Sequence, residues 1–552
     1  MGARYHILKS QPPDRFFKML TRTDVKEAKS HKLLVNRLCE KKSILITLCI
    51  SLLGTAAVYA TSRGGNWSSI LTPVFVALSA ALMVAGLRNW ELGLQALLVI
   101  VIVEGAVRKW FMPSVTELVY FYKDALMVII LVGYYRQHHK SPFLIKRHLK
   151  IFYIVLALFA TYALAATILP GGPHLLVGLL GLKAYCLYMP LAFIVPRAFA
   201  SKEKIIGFLK WYSLIVLPVA AIGTMQFLDT NQRSALNRYA VNEDVSGRAT
   251  DIATFYSSSG ENFVRVTSTF SYVSGLSTYL PVMFALLLGL TSLYSIRHLS
   301  RTLKALYYTA LGAVVVTSFM TGSRASVLAI AVVAVMFYCF ASMRNLFRRL
   351  QHIAIVGVLI YVASSLLFPQ AFDAFYTRAF SGDSRMNEGL SRISGAFDLP
   401  VKEASYAGAF GYGIGLTQNA IPTLTKKLNI RVTDNAIPIA VEGEPGRVML
   451  ELGVIGYTLY TLLRFVLLLT LCRICMMIRD TEAKILAIAT LGALIFPLLI
   501  GGAVVSHTQN VYQWFLIGLT LALLNQERLL LHTRTAANEP IAFRPAQQLS
   551  AT

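Results

Sequence analysis

The sequence predicts an all-α, polytopic membrane protein. Apolar runs long enough to cross a roughly 30 Å hydrocarbon layer recur along the whole chain, and much of the charge lies in short stretches between them. Composition agrees: hydrophobic residues make up 56% of the 552 positions and charged ones 14%, and the mean hydropathy is +0.59. Unpaired backbone groups are prohibitive in lipid, so apolar runs of this length must be helices.

Taken in order, a basic segment, 1–42, comes first. It is too long for the n-region of a signal peptide and no cleavage site follows it, so it is expected to stay in the cytoplasm. Fourteen candidate spans come next. Ser43–Ala60, Ile70–Gly86, Glu91–Val107 and Glu117–Tyr135 make a peripheral N-terminal set over 43–135. Ile151–Leu169, Val177–Val195, Ile205–Phe227, Tyr272–Tyr294, Ala305–Met320, Ala325–Ala341 and Ile353–Phe368 make a core over 151–368. Val448–Leu471, Ile485–Ala503 and Val511–Leu524 fill 448–524, ahead of a tail over 525–552.

Charge placement tests this order. With the N-terminus inside, the connections YYRQHHKSPFLIKRHLK, RAFASKEK, SIRHLSRTLK, SMRNLFRRLQH and CRICMMIRDTEAK all face the cytoplasm, and each is short and basic. The tail then lies inside as well. The opposite face receives a polar loop, 229–269, and a large periplasmic loop, 369–447, longer than a connection needs. The expected location is a bacterial inner membrane.

The formal net charge of +25 would suggest nucleic acid in a soluble chain. Here it reads as topology and contact with anionic headgroups of the lipid bilayer. No basic and aromatic module stands apart from the spans, so nucleic acid is not an expected partner. The six cysteines imply no disulfide framework, and Cys472 and Cys475 form a CxxC with no second ligand pair, so no metal is expected. No internal repeat is visible, which counts against common transporter folds.

Arginine on the outer side opposes the charge bias and needs a reason. Arg265 precedes a span, Arg324 occupies the tight turn TGSRAS, and Arg385 and Arg392 open the large loop. A guanidinium suits bidentate binding of phosphate oxygens, although Arg324 alone could also simply reach lipid phosphate. The run GYGIG reads as a tight turn where the loop folds back. At its exit, Glu442 and Glu444 lie near Pro445 and Arg447, where a carboxylate can take a proton from a hydroxyl or favour a helix N-terminus. His507, at the outer end of the last span, is a candidate base or sugar contact, or an ordinary interfacial histidine. Glu104, Lys123, Asp124 and Lys183 are intramembrane ionisable groups expected to pair.

The order RVTSTF, TGSRAS, Arg392 followed by GYGIG, then LELGVIG resembles the O-antigen ligase and polysaccharide polymerase superfamily, membrane glycosyltransferases of the C-type fold. The likeness covers roughly Tyr185 to Leu524. It implies a polysaccharide polymerase or ligase that moves a glycan from an undecaprenyl-diphosphate donor to an acceptor sugar hydroxyl on the periplasmic face. Arg265 and Arg324, with Arg392 as a further candidate, would hold the donor diphosphate. The histidine that ligases of this family carry near the loop exit is replaced by Glu442, which favours an exopolysaccharide or capsule polymerase with Glu442 or Glu444 as base. The resemblance implies no cofactor, a glycan or lipid-linked acceptor, and chain-length regulator or export proteins as partners. The alternative class is a flippase of lipid-linked oligosaccharide, which would line a central cavity with basic residues through mid-membrane. A sensor or scaffold would leave the outer arginines unexplained.

Overall fold

The computed structural model describes residues 68–111, 116–137, 146–168, 173–229, 231, 234–240, 253–340, 365–366, 368–380, 383–418, 421, 429 and 443–538. The N-terminal helices are α1 (Ser68–Arg88), α2 (Trp90–Ala106) and α3 (Thr116–Arg136), with a π-helical turn, Val107–Phe111, closing α2. Then come α4 (Lys150–Ala166), α5 (Leu175–Cys186), α6 (Leu191–Ala198), α7 (Lys202–Tyr212) and α8 (Val216–Leu228). A hairpin of β1 (Thr254–Tyr256) and β2 (Asn262–Val264) pairs Phe255 with Phe263. It leads into α9 (Val273–Thr291), α10 (Arg301–Met320) and α11 (Arg324–Phe340). The last helices are α12 (Pro369–Phe380), α13 (Asp383–Ala407), α14 (Glu444–Met477), α15 (Thr481–Ile500) and α16 (His507–Asn538).

Local chemistry starts these helices where the sequence supplies an acceptor. Asn89 caps α2, Ser201 caps α7, Ser300 caps α10 and Asp480 caps α15, each side chain accepting an N–H of the first turn. Among the described residues, seven helical stretches are long and apolar enough to cross a membrane: Trp90–Phe111, Lys202–Leu228, Val273–Thr291, Arg301–Met320, Glu444–Met477, Thr481–Ile500 and His507–Leu531. The pair α5 and α6, bent by 45°, makes an eighth if taken as one span. Ala77–Arg88, Lys150–Ala166 and Arg324–Phe340 are apolar but shorter. The fold is that of an all-α membrane protein. Of the expected spans, Ser43–Ala60 and most of Ile353–Phe368 lie outside the described residues.

Helix α9 is buried on nearly every side, as an all-round apolar helix must be. It packs on α10, α11, α15 and α16, while α14 lies against α4, α13 and α15. The described part of the segment expected as a large loop carries helices, of which α12 docks on α10 through Phe372 and Phe375 against Phe319.

The two glycine motifs turn out to be one device. Helix α14 breaks at Gly453 (φ 65°, ψ −172°), and the segment 408–413 is bolted into the break. Val454 N donates to Gly408 O and Ile455 N to Ala409 O, while Tyr412 N donates to Leu450 O and Gly413 N to Glu451 O. Gly411 and Gly453 approach so closely that a Cβ on either would overlap the other's backbone, and Gly415 meets Gly181 of α5 the same way. The tight-turn reading of GYGIG is thereby extended: the run crosses two helices, and only glycine fits at the crossings.

Gly411→Ala is expected to lower stability by about 2 kcal/mol or more, through overlap and the left-handed φ. Thermal unfolding of the purified protein in detergent measures it, and an unchanged midpoint would contradict the crossing.

Candidate functional site

The site begins with the turn that follows β2. Arg265 N donates to Ala253 O at 2.8 Å, and Tyr239 Oη donates to Arg265 O at 2.6 Å. Burial holds the Tyr239 phenol above its ordinary range, so it remains a protonated donor. Both Thr267 N and Ser268 N donate to Gln226 Oε1, at 3.1 and 2.6 Å. Ser268 adopts φ 50°, a left-handed conformation unusual for serine, and its hydroxyl donates to Val219 O. From the other side, Lys109 Nζ donates to Thr267 Oγ1 at 2.9 Å and to Ser268 O. Arg108 donates to Ser271 Oγ at 3.0 Å and to Ala240 O at 3.2 Å.

From this turn the Arg265 Nε donates to Thr321 O at 3.0 Å, which joins RVTSTF to the TGSRAS turn. Arg324, half-buried, is the first residue of α11. A cation there sits at the positive end of a helix dipole, so the helix end and the guanidinium favour the same ligand, an anion. Arg265 and the neighbours of Arg324, Ser323 and Ala325, line a cleft of about 260 Å³ between α9, α11, α15 and α16. Its walls grade along the helices. Arg265, Ser274, Ser323 and Gln509 lie near the helix ends, and Val282, Ala329, Leu494 and Leu516 lie deeper in the bundle.

Of the two carboxylates Glu444 is described, and it lies in the first turn of α14, where the helix N-terminus reading puts it. Glu444, expected as a candidate base, is 5% exposed. Its Oε2 accepts the N–H groups of Gly502 and Val504, both at 2.7 Å, and its Oε1 accepts Tyr460 Oη at 3.0 Å with Arg464 at 3.8 Å. A base needs a lone pair facing substrate; here Oε2 ties the α15–α16 linker to α14, and Oε1 is held by Tyr460 and Arg464 of α14 itself. Arg464 also donates to Leu498 O and Pro497 O, closing the C-terminal turn of α15. Arg447 donates to Thr417 O at 2.9 Å and so fastens the end of the glycine run. Glu442 lies outside the described residues. Arg385 and Arg392 fall on the first part of α13, and their side chains lie outside what is described.

The ionisable groups within the spans pair as expected. Lys123 meets Glu104 at 2.6 Å, Arg108 meets Glu104 at 3.5 Å, and Lys183 meets Asp124 at 2.5 Å. Tyr188 Oη also donates to Asp124, at 2.5 Å. His507 is the first residue of α16 and half-buried. Its Nε2 is hydrogen-bonded to Tyr120 Oη, whose ring faces Arg108, Lys123 and Lys183, and its Nδ1 is buried. It belongs to this network, not to the described lining of the cleft. Of the N-terminal set, α2 and α3 supply Glu104, Tyr120, Lys123 and Asp124 to the network, and the turn that closes α2 reaches the Arg265 turn through Arg108 and Lys109.

Sequence reading missed Lys109, Gln226, Glu451 and Arg464. The signal for Lys109 was present, as VRKW places two cations beyond a span, on the side that the expected topology puts outside. Glu451 was read only as part of LELG. It is fully buried, accepting Thr417 N at 2.8 Å, Thr417 Oγ1 at 2.7 Å and Tyr185 Oη at 2.9 Å.

No protein-family model and no curated protein sequence matches this chain. The class defined by fold and composition is an all-α membrane protein.

Glu444→Ala should destabilise the protein by about 3 kcal/mol or more, because it strands the buried Arg464 and two linker N–H groups. Denaturation in detergent reads this out. A variant as stable as wild type would return Glu444 to the list of free acids.

Proposed function

We propose that this protein is a periplasm-facing membrane glycosyltransferase. It transfers a glycan from a polyprenyl-diphosphate donor to an acceptor sugar hydroxyl, as a polysaccharide polymerase or ligase of the O-antigen ligase type, with the exopolysaccharide or capsule polymerase favoured. The observation that carries the reading is the cleft: Arg265 and the Arg324 turn at one end, apolar helix faces below. An amphiphile with an anionic head and a long apolar tail matches that grading.

The positive-inside rule supports the orientation, a fourteen-span chain with both termini in the cytoplasm and the Arg265 end outside. Outside the cell there is no ATP, so the activated donor supplies the driving force. In the transfer step the acceptor oxygen forms a bond to the anomeric carbon as the bond from that carbon to the diphosphate oxygen breaks. The electron pair leaves with the lipid diphosphate, and arginine donors stabilise its growing charge. The acceptor proton passes to a carboxylate. With Glu444 engaged in the linker, Glu442 is the candidate base. Among the described lining residues Arg265 is the cleft's basic side chain, and it sits at one end. That disfavours a flippase, which needs cations along the path.

Purified protein incubated with a lipid-diphosphate glycan should extend the chain without added nucleotide. Arg265→Ala and Arg324→Ala are each expected to abolish polymer while the protein still inserts in the membrane. Polymer of normal length and amount from either variant would remove that arginine from the site, and from both would remove the donor reading.

A further inference from the structure

We propose that Gln513 is a specificity-determining residue of the cleft, where its amide reads a hydroxyl or acetamido group on the sugar joined to the lipid diphosphate. This deepens the donor reading above and rests on it.

The cleft is divided across its width as well as along its length. Below the rim every polar side chain of the described lining, Ser277, Thr278, Tyr512 and Gln513, comes from α9 or α16. Helices α11 and α15 contribute Ala329, Ala493 and Leu494 instead. An apolar chain therefore has one side of the cleft and a hydrogen-bonding group the other, with Arg265 at the head of both.

Two of the four polar groups are engaged within the protein. Thr278 Oγ1 donates to Ser274 O at 2.7 Å, the usual back-bond of a helical hydroxyl, and Tyr512 Oη shares a hydrogen bond with Tyr212 Oη at 2.7 Å. The other two are not. Gln513 is 5% exposed and has no hydrogen-bond partner among the described residues, and Ser277 Oγ, buried on the neighbouring α9, has none either. A buried amide that bonds nothing in its own chain is costly, and its donors and acceptor call for a partner from outside. On its far side Gln513 also lines a cavity of about 10 Å³ with Arg464 and Asn510, whose Oδ1 is a further atom without a partner. A primary amide has a donor end and an acceptor end, so engaging one end in that cavity leaves the other for the cleft.

What it meets there is a neutral group, not a second phosphate. Pro281 and Pro497 stand in the same walls, and a helical proline leaves the carbonyl four residues back without its N–H donor. Here those carbonyls belong to Ser277 and Ala493, which also line the cleft. Such oxygens repel an anion and accept from O–H and N–H. A sugar hydroxyl or acetamido group both donates and accepts, which suits an amide beside carbonyls; an isoprenoid chain does neither.

The test compares two probes on the full chain in lipid nanodiscs. One is farnesyl diphosphate; the other is the same lipid diphosphate carrying N-acetylglucosamine, which offers hydroxyls and an acetamido group. Wild type should bind the glycosylated probe more tightly. Gln513→Met, close in volume, should weaken that probe about tenfold and leave farnesyl diphosphate unchanged. Gln513→Asn, which keeps an amide, should retain part of the preference. Unchanged binding of the glycosylated probe by Gln513→Met would overturn the proposal. Equal losses for both probes would do the same, because a merely structural role does not tell them apart. Should Gln513→Met not fold, Gln513→Asn decides by the same comparison. Arg265→Ala separates the two readings, since it should weaken both probes alike. If wild type binds both probes and the Gln513 variants do not discriminate, only the specificity role falls. If it binds neither, the donor reading falls and takes this one with it.

Discussion

Where a helix stops inside an apolar slab, its terminal N–H and C=O groups have no water to turn to. At one end of this bundle the linkers are closed by single polar side chains from a neighbouring helix. Glu444 of α14 accepts the amides of the α15–α16 linker, and Glu451 accepts those of the glycine run at Thr417. Arg464 donates to the last carbonyls of α15, while Lys109 and Gln226 take the carbonyl and amides of the 267–268 turn. Carboxylate and amide oxygens serve the N–H groups and the basic side chains serve the carbonyls, as the polarity of a peptide demands.

That constraint explains how a site can form on loops without becoming loose. Arg265 leaves a turn fixed on both faces and reaches the carbonyl of Thr321, so two motifs far apart in sequence share one rigid corner. The cleft opens beside this corner, between helices whose ends are themselves tied down. Preorganised donors matter most for chemistry in which charge develops on a leaving group, because nothing then has to reorganise during the reaction.

The ionic network between α2, α3, α5 and α16 adds a second kind of support. Lys123 with Glu104 and Lys183 with Asp124 are pairs within low-dielectric surroundings, where removing one partner leaves an uncompensated charge. Through Tyr120 and His507 the network reaches the start of α16, and through Arg108 it reaches Ser271. The N-terminal helices therefore brace the Arg265 corner and the helix that forms one wall of the cleft.

The sequence by itself determined the class: long apolar runs in lipid have one solution, the helix, and where they are described the expected spans are helical. It also singled out Arg265 and Arg324, since both oppose the charge bias under the expected topology. Tertiary structure alone decided what the acids do. Glu444 and Glu451 lie one below the other on α14, and whether a carboxylate faces substrate or backbone depends on which chain crosses it. Lys109 was hidden for the same reason. Its role is set by a turn that lies 158 positions away in the chain and is adjacent only in space. Hydrophobic periodicity is a local signal, whereas the pairing of a buried charge depends on neighbours that packing, not sequence distance, brings near.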